Sequence, residues 1–599
     1  MKLRKKSLVA GVAAIFSVMT TSLAKGDDLN LSYELSFEEP YTHYAEVSMT
    51  VSGLDREYVD LKMAVWAPGS YLIREFSKNV EAFKAESSGK ELNSGKISKN
   101  TWRVFTGGAA EITVNYRVYA FEMSVRTSFI DSDHAYLNGT SIFMYVDGAQ
   151  ELPATIKINP YREWKQISTG LEADAADPFL LSSPNYDILA DSPIEIGNQD
   201  IIEFEAAGLP HEVAIYGGGD YDREKVIADF TKIIEEQTAI FGDHPCERYV
   251  FIVHFLASGG GGLEHLNSTT LQFPRQAVES AQGWASFLGL VAHEYFHLWN
   301  VKRLRPAALG PFNYEAENYT HMLWVSEGFT AYYDDWTVRR TGFYSPEEYL
   351  EKIAGVIGTV ENTPGNRVQP VTEASFDAWI KYYRPNENSY NTTISYYSKG
   401  AILGMLIDMS IRENSKGKHS LDDLMRYMYD RYYKELDRGF EDAEFKEAVE
   451  KFAGDMDDFF ENYVWGTEEI PYNEFFDAVG LKLVESQPRT GEAYLGASFE
   501  QTGNGLVVSR VVRGTAAYTS GINVNDLLLS VNGKAVADVE SLLEGRKPGD
   551  ELSLKLLRNG MVRTIGVVLG GNENSSFRFE KISNPGAQQQ ENYKAWMGL

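Results

Sequence analysis

The chain has 599 residues, 43% of them hydrophobic and 24% charged, and a formal net charge of −29. That length exceeds what one hydrophobic core supports, so three or four domains are expected, and the ordinary composition excludes a disordered or fibrous protein. An acidic surface repels phosphate backbones and anionic membranes, which argues against nucleic-acid binding, and the single cysteine, Cys246, excludes an internal disulfide and disfavours a thiol nucleophile.

In chain order, residues 1–24 read as a secretory signal. Lys2, Arg4, Lys5 and Lys6 form a basic start, Leu8 to Met19 an apolar run, and Ser22-Leu23-Ala24 a small-residue cleavage site. Export to the periplasm or the exterior follows, with no membrane attachment after cleavage; an uncleaved anchor is the alternative. No later segment approaches the ~20 apolar residues that a bilayer requires.

Residues 28–208 carry strand-like alternation, as in Ile112, Val114, Tyr116 and Val118, broken by turns such as Pro68-Gly69-Ser70 and Gly107-Gly108. They predict an all-β domain. Between 211 and 482 the period lengthens, predicting helices near 223–240, 284–300, 322–340, 346–358, 396–412 and 420–434. Residues 488–572 return to short strands and glycine turns, and 573–599 form a polar tail containing Gln588-Gln589-Gln590. The whole is a multidomain α+β protein.

The chemistry concentrates in the middle block. Leu288 to Trp299 contains His293-Glu294-Tyr295-Phe296-His297, the pattern H-E-x-x-H in a helix-compatible run. Residues four apart share a helical face, so two imidazoles converge on one ion while Glu294 is held beside the metal as general base. A catalytic zinc takes a third protein ligand and leaves one position for water, whose pKa falls to roughly 7. Downstream, Trp324 to Asp334 reads as a second helix capped by Ser326, with Glu327 in its first turn as the third ligand. Asp334, two turns on, is placed to accept the second N–H of a ligand histidine. Taken alone, Glu327 reads equally well as a carboxylate at a helix start, and Asp334 as a solvated one. Lys302, Arg303 and Arg305 read as a solvated loop, with a place along the cleft as the alternative.

The helix bearing His293-Glu294-x-x-His297, followed by Trp324-x-x-Glu327-Gly328-Phe329-Thr330, resembles the gluzincin peptidases and, more narrowly, the M61 glycyl aminopeptidase family. Trp66-Ala67-Pro68-Gly69-Ser70-Tyr71 with Arg74 resembles that family's β-domain signature. The resemblance implies a thermolysin-like, mainly helical catalytic domain, one zinc ion, and an aminopeptidase acting on N-terminal glycine or alanine. Gly261-Gly262-Leu263-Glu264 matches the glycine-rich strand whose glutamate holds the substrate's free amino group, with His265 in place of the usual asparagine. Alone, Gly259 to Gly262 would read as a surface loop. Tyr396-Tyr397-Ser398-Lys399-Gly400 resembles the Tyr-x-Lys-Gly segment, which makes Tyr397 the donor to the developing oxyanion.

The last domain resembles a PDZ module, with Leu495, Gly496 and Ala497 in its carboxylate-binding loop. Peptide C-termini, or this chain's own catalytic domain, are its implied partners. A zinc endopeptidase, and a non-catalytic PDZ binding protein on a peptidase scaffold, are the rival readings.

Overall fold

The computed structural model describes residues 29–488, 491–536 and 540–599, and the expected secretory leader lies outside them. Among the described residues no helix is long and apolar enough to cross a membrane.

The alternation of the first domain becomes sheet. Strands Asn30–Ser36, Tyr44–Ser52 and Glu111–Tyr119 bury every second residue, as a sheet with one packed face requires. Val47 stands opposite Tyr116 and Met49 opposite Val114, within an eight-stranded sheet. Two four-stranded sheets complete the domain. Leu35, Met49, Val114, Phe143 and Ile156 share its apolar core.

The middle domain is built on a five-stranded sheet. Its central strand, Tyr249–Leu256, is apolar and buried almost throughout, and it runs parallel to both neighbours, Leu209–Tyr216 and Ser268–Pro274. Gly261–Glu264 is the edge strand, paired on one side only. Of the glycines Gly259 to Gly262, the last two therefore form strand, and Gly259 and Gly260 remain loop. Helices α1 (Arg223–Phe241), α2 (Ala281–Phe296), α3 (Gly328–Arg340) and α4 (Tyr396–Ser415) pack with this sheet. The Ser280 hydroxyl accepts from the Gly283 amide and Ser395 from the Ser398 amide, so α2 and α4 begin on serine caps. Leu288, Val291, Ala292 and Tyr295 of α2 are buried with Phe230 and Ile233 of α1. Fully burying a side chain of the Leu or Phe class contributes about 1.5–3 kcal/mol.

Two expectations change here. The helix expected over 322–340 breaks in two, Leu323–Ser326 and then α3, with Glu327 at the junction. Ser326 does not cap α3; its hydroxyl has no hydrogen-bond partner. The Asn300 amide takes the carbonyls of Val325 and Ser326, and Gly328 lies against Gly400, where a β-carbon would fall 2.5 Å from the Gly400 Cα. Nor are the basic residues after His297 a solvated loop. Lys302 pairs with Asp191 at 2.8 Å, and buried Arg303 donates to the carbonyls of Leu298 and Pro245.

The last sheet comprises Ala497–Thr502, Gly505–Val511, Leu527–Val531, Glu551–Arg558 and Met561–Val568. It is held at both ends, because Leu481–Pro488 pairs antiparallel with Ser575–Lys581. The polar tail then forms α5 (Ala587–Met597). Trp596 of α5 is fully buried, and its carbonyl accepts from the Trp336 indole at 2.7 Å.

Candidate metal centre

Helix α2 carries His293 in its last turn and ends at His297. The ring Nδ1 of His293 lies 2.9 Å from Asp334 Oδ2, and Nδ1 of His297 lies 2.8 Å from the backbone oxygen of Asn300. Both partners are acceptors, so each Nδ1 donates a proton outward and each Nε2 is the ring atom turned to the cleft. The two Nε2 atoms face Glu327 Oε2, at 3.6 Å from His293 and 3.3 Å from His297. Burial works against protonating either ring, but the neighbouring carboxylates raise both above the ordinary imidazole value, so protons fill the place that a metal cation would otherwise hold. Zinc ligands at ~2.0–2.1 Å in tetrahedral array lie roughly 3.3 Å apart, so these donors fit that ion.

The third donor arrives through Asn300. Its carbonyl holds the His297 ring, while its amide holds the carbonyls of Val325 and Ser326 immediately before Glu327. One residue, through its backbone oxygen and its side-chain amide, thus ties two donors together. Burial opposes ionisation of Glu327, yet His297 and His293 hold its carboxyl down at about 2.

Glu294 is buried beside the donors, and its Oε2 has no hydrogen-bond partner. Burial pushes its carboxyl up to about 7 against the pull of both histidines. Gly262 is needed here, since a β-carbon on it would lie 2.1 Å from Glu294 Oε1. At the end of the same strand, Glu264 is buried and within 4.8 Å of both Glu294 and His297, donor atom to donor atom. Gly69 of the first domain closes over it. A β-carbon at Gly69 would fall 2.6 Å from Glu264 Oε1, and Gly69 has φ +81°. His265 turns away from the cleft toward Asp191, with Nδ1 at 3.1 Å from Oδ1.

Tyr397 sits in the first turn of α4 and lines the same cleft, its ring 6.3 Å from that of His293. Burial and the Glu327 charge raise its phenol well above the ordinary range. Gly262, Glu264, Glu294, His293, His297, Glu327, Asp334 and Tyr397 therefore line one cleft, while Gly261, next to Gly262 on the edge strand, is not among its lining residues. Sequence reasoning missed Asn300, Gly69, Arg126, Tyr382 and Tyr383, of which the last four line the cleft. Only Gly69 left a sequence signal, the Pro-Gly-Ser turn.

The PDZ-loop residues lie elsewhere. The Leu495 carbonyl accepts from the Ala517 amide and the Gly496 carbonyl from the Val512 amide, while Ala497 starts a strand at the sheet edge. The module touches the middle domain through Asn391, whose amide donates to the Val511 carbonyl at 2.8 Å and whose side-chain oxygen accepts from the Arg513 amide at 2.8 Å.

Family models match three stretches: the peptidase M61 N-terminal domain at residues 32–198, the M61 glycyl aminopeptidase at 286–403 and a PDZ domain at 493–569. An aminopeptidase N family protein from Idiomarina loihiensis is 30% identical, with a TM-score of 0.88 over 95% of this chain and 100% of its own. Among curated proteins, a probable periplasmic serine endoprotease DegP-like from Pseudomonas putida is 28% identical over 91 residues, which is 15% of this chain and 19% of that protein. The periplasmic pH-dependent serine endoprotease DegQ of Escherichia coli is 33% identical over 82 residues, 13% of this chain and 18% of its own. The chain thus spans less than a fifth of the length of these two curated relatives.

Fold and converging donors together define the metallopeptidase class. Within it, the chain belongs to the M61 glycyl aminopeptidase family.

Proposed function

We propose that the protein is a zinc-dependent aminopeptidase that removes small N-terminal residues, glycine or alanine, from peptides, with one zinc ion held by His293, His297 and Glu327. The observation that carries this reading is the convergence of the two Nε2 atoms on Glu327 Oε2 at 3.3 and 3.6 Å. When bound there, zinc supplies Lewis acidity to a carbonyl and to a water.

The chain's own groups do the rest. Glu264 binds the substrate's α-ammonium, which is mostly charged at neutral pH, and so restricts cleavage to the first peptide bond. Glu294 takes the proton of the attacking water and passes it to the leaving amine. Its unpartnered, buried oxygen supports that role. The Tyr397 phenol, protonated throughout the neutral range, donates to the developing oxyanion. Asp334 and Asn300 hold the imidazoles in the tautomer that leaves Nε2 free. The Gly69 turn is packed on Glu264, where any β-carbon would meet the carboxylate.

Export to the periplasm is supported by the basic and apolar start of the chain and by the two periplasmic proteases it resembles in part. Through Leu495, Gly496 and Ala497 the PDZ module takes peptide C-termini along its free edge strand.

The test is to compare alanyl and glycyl peptides bearing free or acetylated amino termini, with the zinc content of the purified protein measured alongside. Cleavage of the free forms alone, with one zinc per chain, is the expected result. Equal cleavage of the acetylated forms would remove Glu264 from its role and make the enzyme an endopeptidase.

A further inference from the structure

Arg126 reaches the cleft from the first domain and has no use there in the chemistry so far. It lines a cavity of about 460 Å³ together with Gly262, Glu264, His293 and Glu294. Its terminal nitrogens lie 3.9 and 4.0 Å from where a β-carbon on Gly261 would stand, and its Nε is buried without a partner. Among the described residues no carboxylate forms an ion pair with it. Arg74 is a second such group. Its Nη2 donates to the Ser70 hydroxyl at 2.8 Å, its Nε is also buried and unpartnered, and burial together with the Arg126 charge holds its pKa below the ordinary range. Arg74 lines a neighbouring cavity with Glu122, whose charge offsets part of that repulsion, whereas Arg126 stands in the cleft with no ion-pair partner among the described residues. An incoming anion would pair with it, and a planar guanidinium fork matches a carboxylate best.

Position along the strand narrows the ligand. Glu264 and Gly261 stand at opposite ends of the edge strand, three residues or about 10 Å apart at ~3.3 Å each. An extended peptide of two or three residues spans at most about 7–10 Å at ~3.3–3.6 Å per residue. A chain laid on the free edge with its amino group at Glu264 therefore brings a carboxylate at its second or third residue to Arg126.

We propose that Arg126, backed by Arg74, receives a carboxylate of the peptide substrate, so that the enzyme favours di- and tripeptides with a free C-terminus. This inference rests on the aminopeptidase reading of the same cleft. An acidic side chain near the second residue would supply the same chemistry, and the experiment separates the two sources.

The zinc-loaded, full-length enzyme is given Ala-Ala-Ala and its C-terminal amide, and separately the amides of Ala-Asp-Ala and Ala-Asn-Ala. The free acid is expected to exceed its amide about tenfold or more in kcat/KM, mainly through KM, as loss of a charge-assisted hydrogen bond predicts. Arg126→Gln brings that ratio close to one, Arg126→Lys keeps part of it, and Arg74→Gln lowers it by a smaller factor. Discrimination of Asp over Asn, with none between acid and amide, supports carboxylate recognition and identifies a side chain as its source. If the wild type cleaves all four peptides equally, the inference is overturned and the aminopeptidase reading stands. If it cleaves none of them, both fall together. A ratio that persists in Arg126→Gln and Arg74→Gln proteins of unchanged Tm also overturns the assignment to these residues.

Discussion

The chain brings two histidines and a glutamate together twice, and the two clusters behave as opposites. At the cleft, His293 and His297 spend their Nδ1 protons on outside acceptors, turning both Nε2 atoms toward Glu327. Between the first and middle domains, His134 Nδ1 and His254 Nε2 each point at a separate oxygen of Glu195, at 2.7 and 2.9 Å. Those are hydrogen-bond distances with a proton for each contact. The first set turns two ring nitrogens and a carboxylate oxygen to one point in an open cleft; the second closes on itself through two direct contacts and is sealed, at 0–1% side-chain exposure, although His134 Nε2 has no partner. Residue type alone does not make a metal site. What holds the other ring nitrogen decides it.

The sharpest way to break this contrast is to remove each glutamate. Glu327→Gln is expected to lose zinc and at least a thousandfold in turnover, since a removed ligand leaves two imidazoles only. Glu195→Gln is expected to keep wild-type zinc content. Metal analysis of the purified proteins decides it, and zinc retained by Glu327→Gln would undo the distinction. Next in size is Glu294→Gln, expected to hold zinc while kcat falls by about 10²–10⁴, the usual range for a lost general base. A fully active variant would contradict the role given to Glu294. Asp334→Asn comes third. Losing the acceptor at His293 Nδ1 is expected to weaken zinc binding about 10–100-fold, measured by competition with a chelator. Unchanged affinity would mean that the tautomer is fixed by something other than Asp334.

The donors were legible in the sequence because helical spacing is local. His293 and His297 need only one helix to meet, and Glu327 was found through the second helix and the resemblance of its surroundings. What the sequence hid was set by contacts between distant segments. Asn300 splits the expected helix at Glu327 by capturing carbonyls some 25 residues away, and no pattern announces such a bond. Arg126 and Gly69 enter the cleft from a different domain, where strand alternation says which face a residue takes but not what lies across it. The tail misled for a related reason. Its glutamines look solvated, and the burial of Trp596 depends on Trp336 and Tyr332, more than 250 positions earlier.

The smallest expected effect concerns the Glu195 cluster and its pH dependence. Burial alone would push the Glu195 carboxyl up, but His134 and His254 hold it below its ordinary value of 4.5. Burial likewise works against protonation of His134, while Glu195 raises it above 6.5. A depressed carboxylate adds stability that is complete above its unfolded pKa and is lost as pH falls through the folded value. A raised imidazole adds stability that is complete below its unfolded pKa and is lost as pH rises through the folded one. The tie between the two domains is therefore tightest from about pH 4.5 to about 6.5. The metal donors titrate too, but they are common to wild type and Glu195→Gln, and subtracting the two Tm profiles removes them. That difference should peak in the window and shrink on both sides. A flat difference would show that the two histidines serve Glu195 as neutral donors at every pH, which would make the cluster a packing element with no electrostatic part.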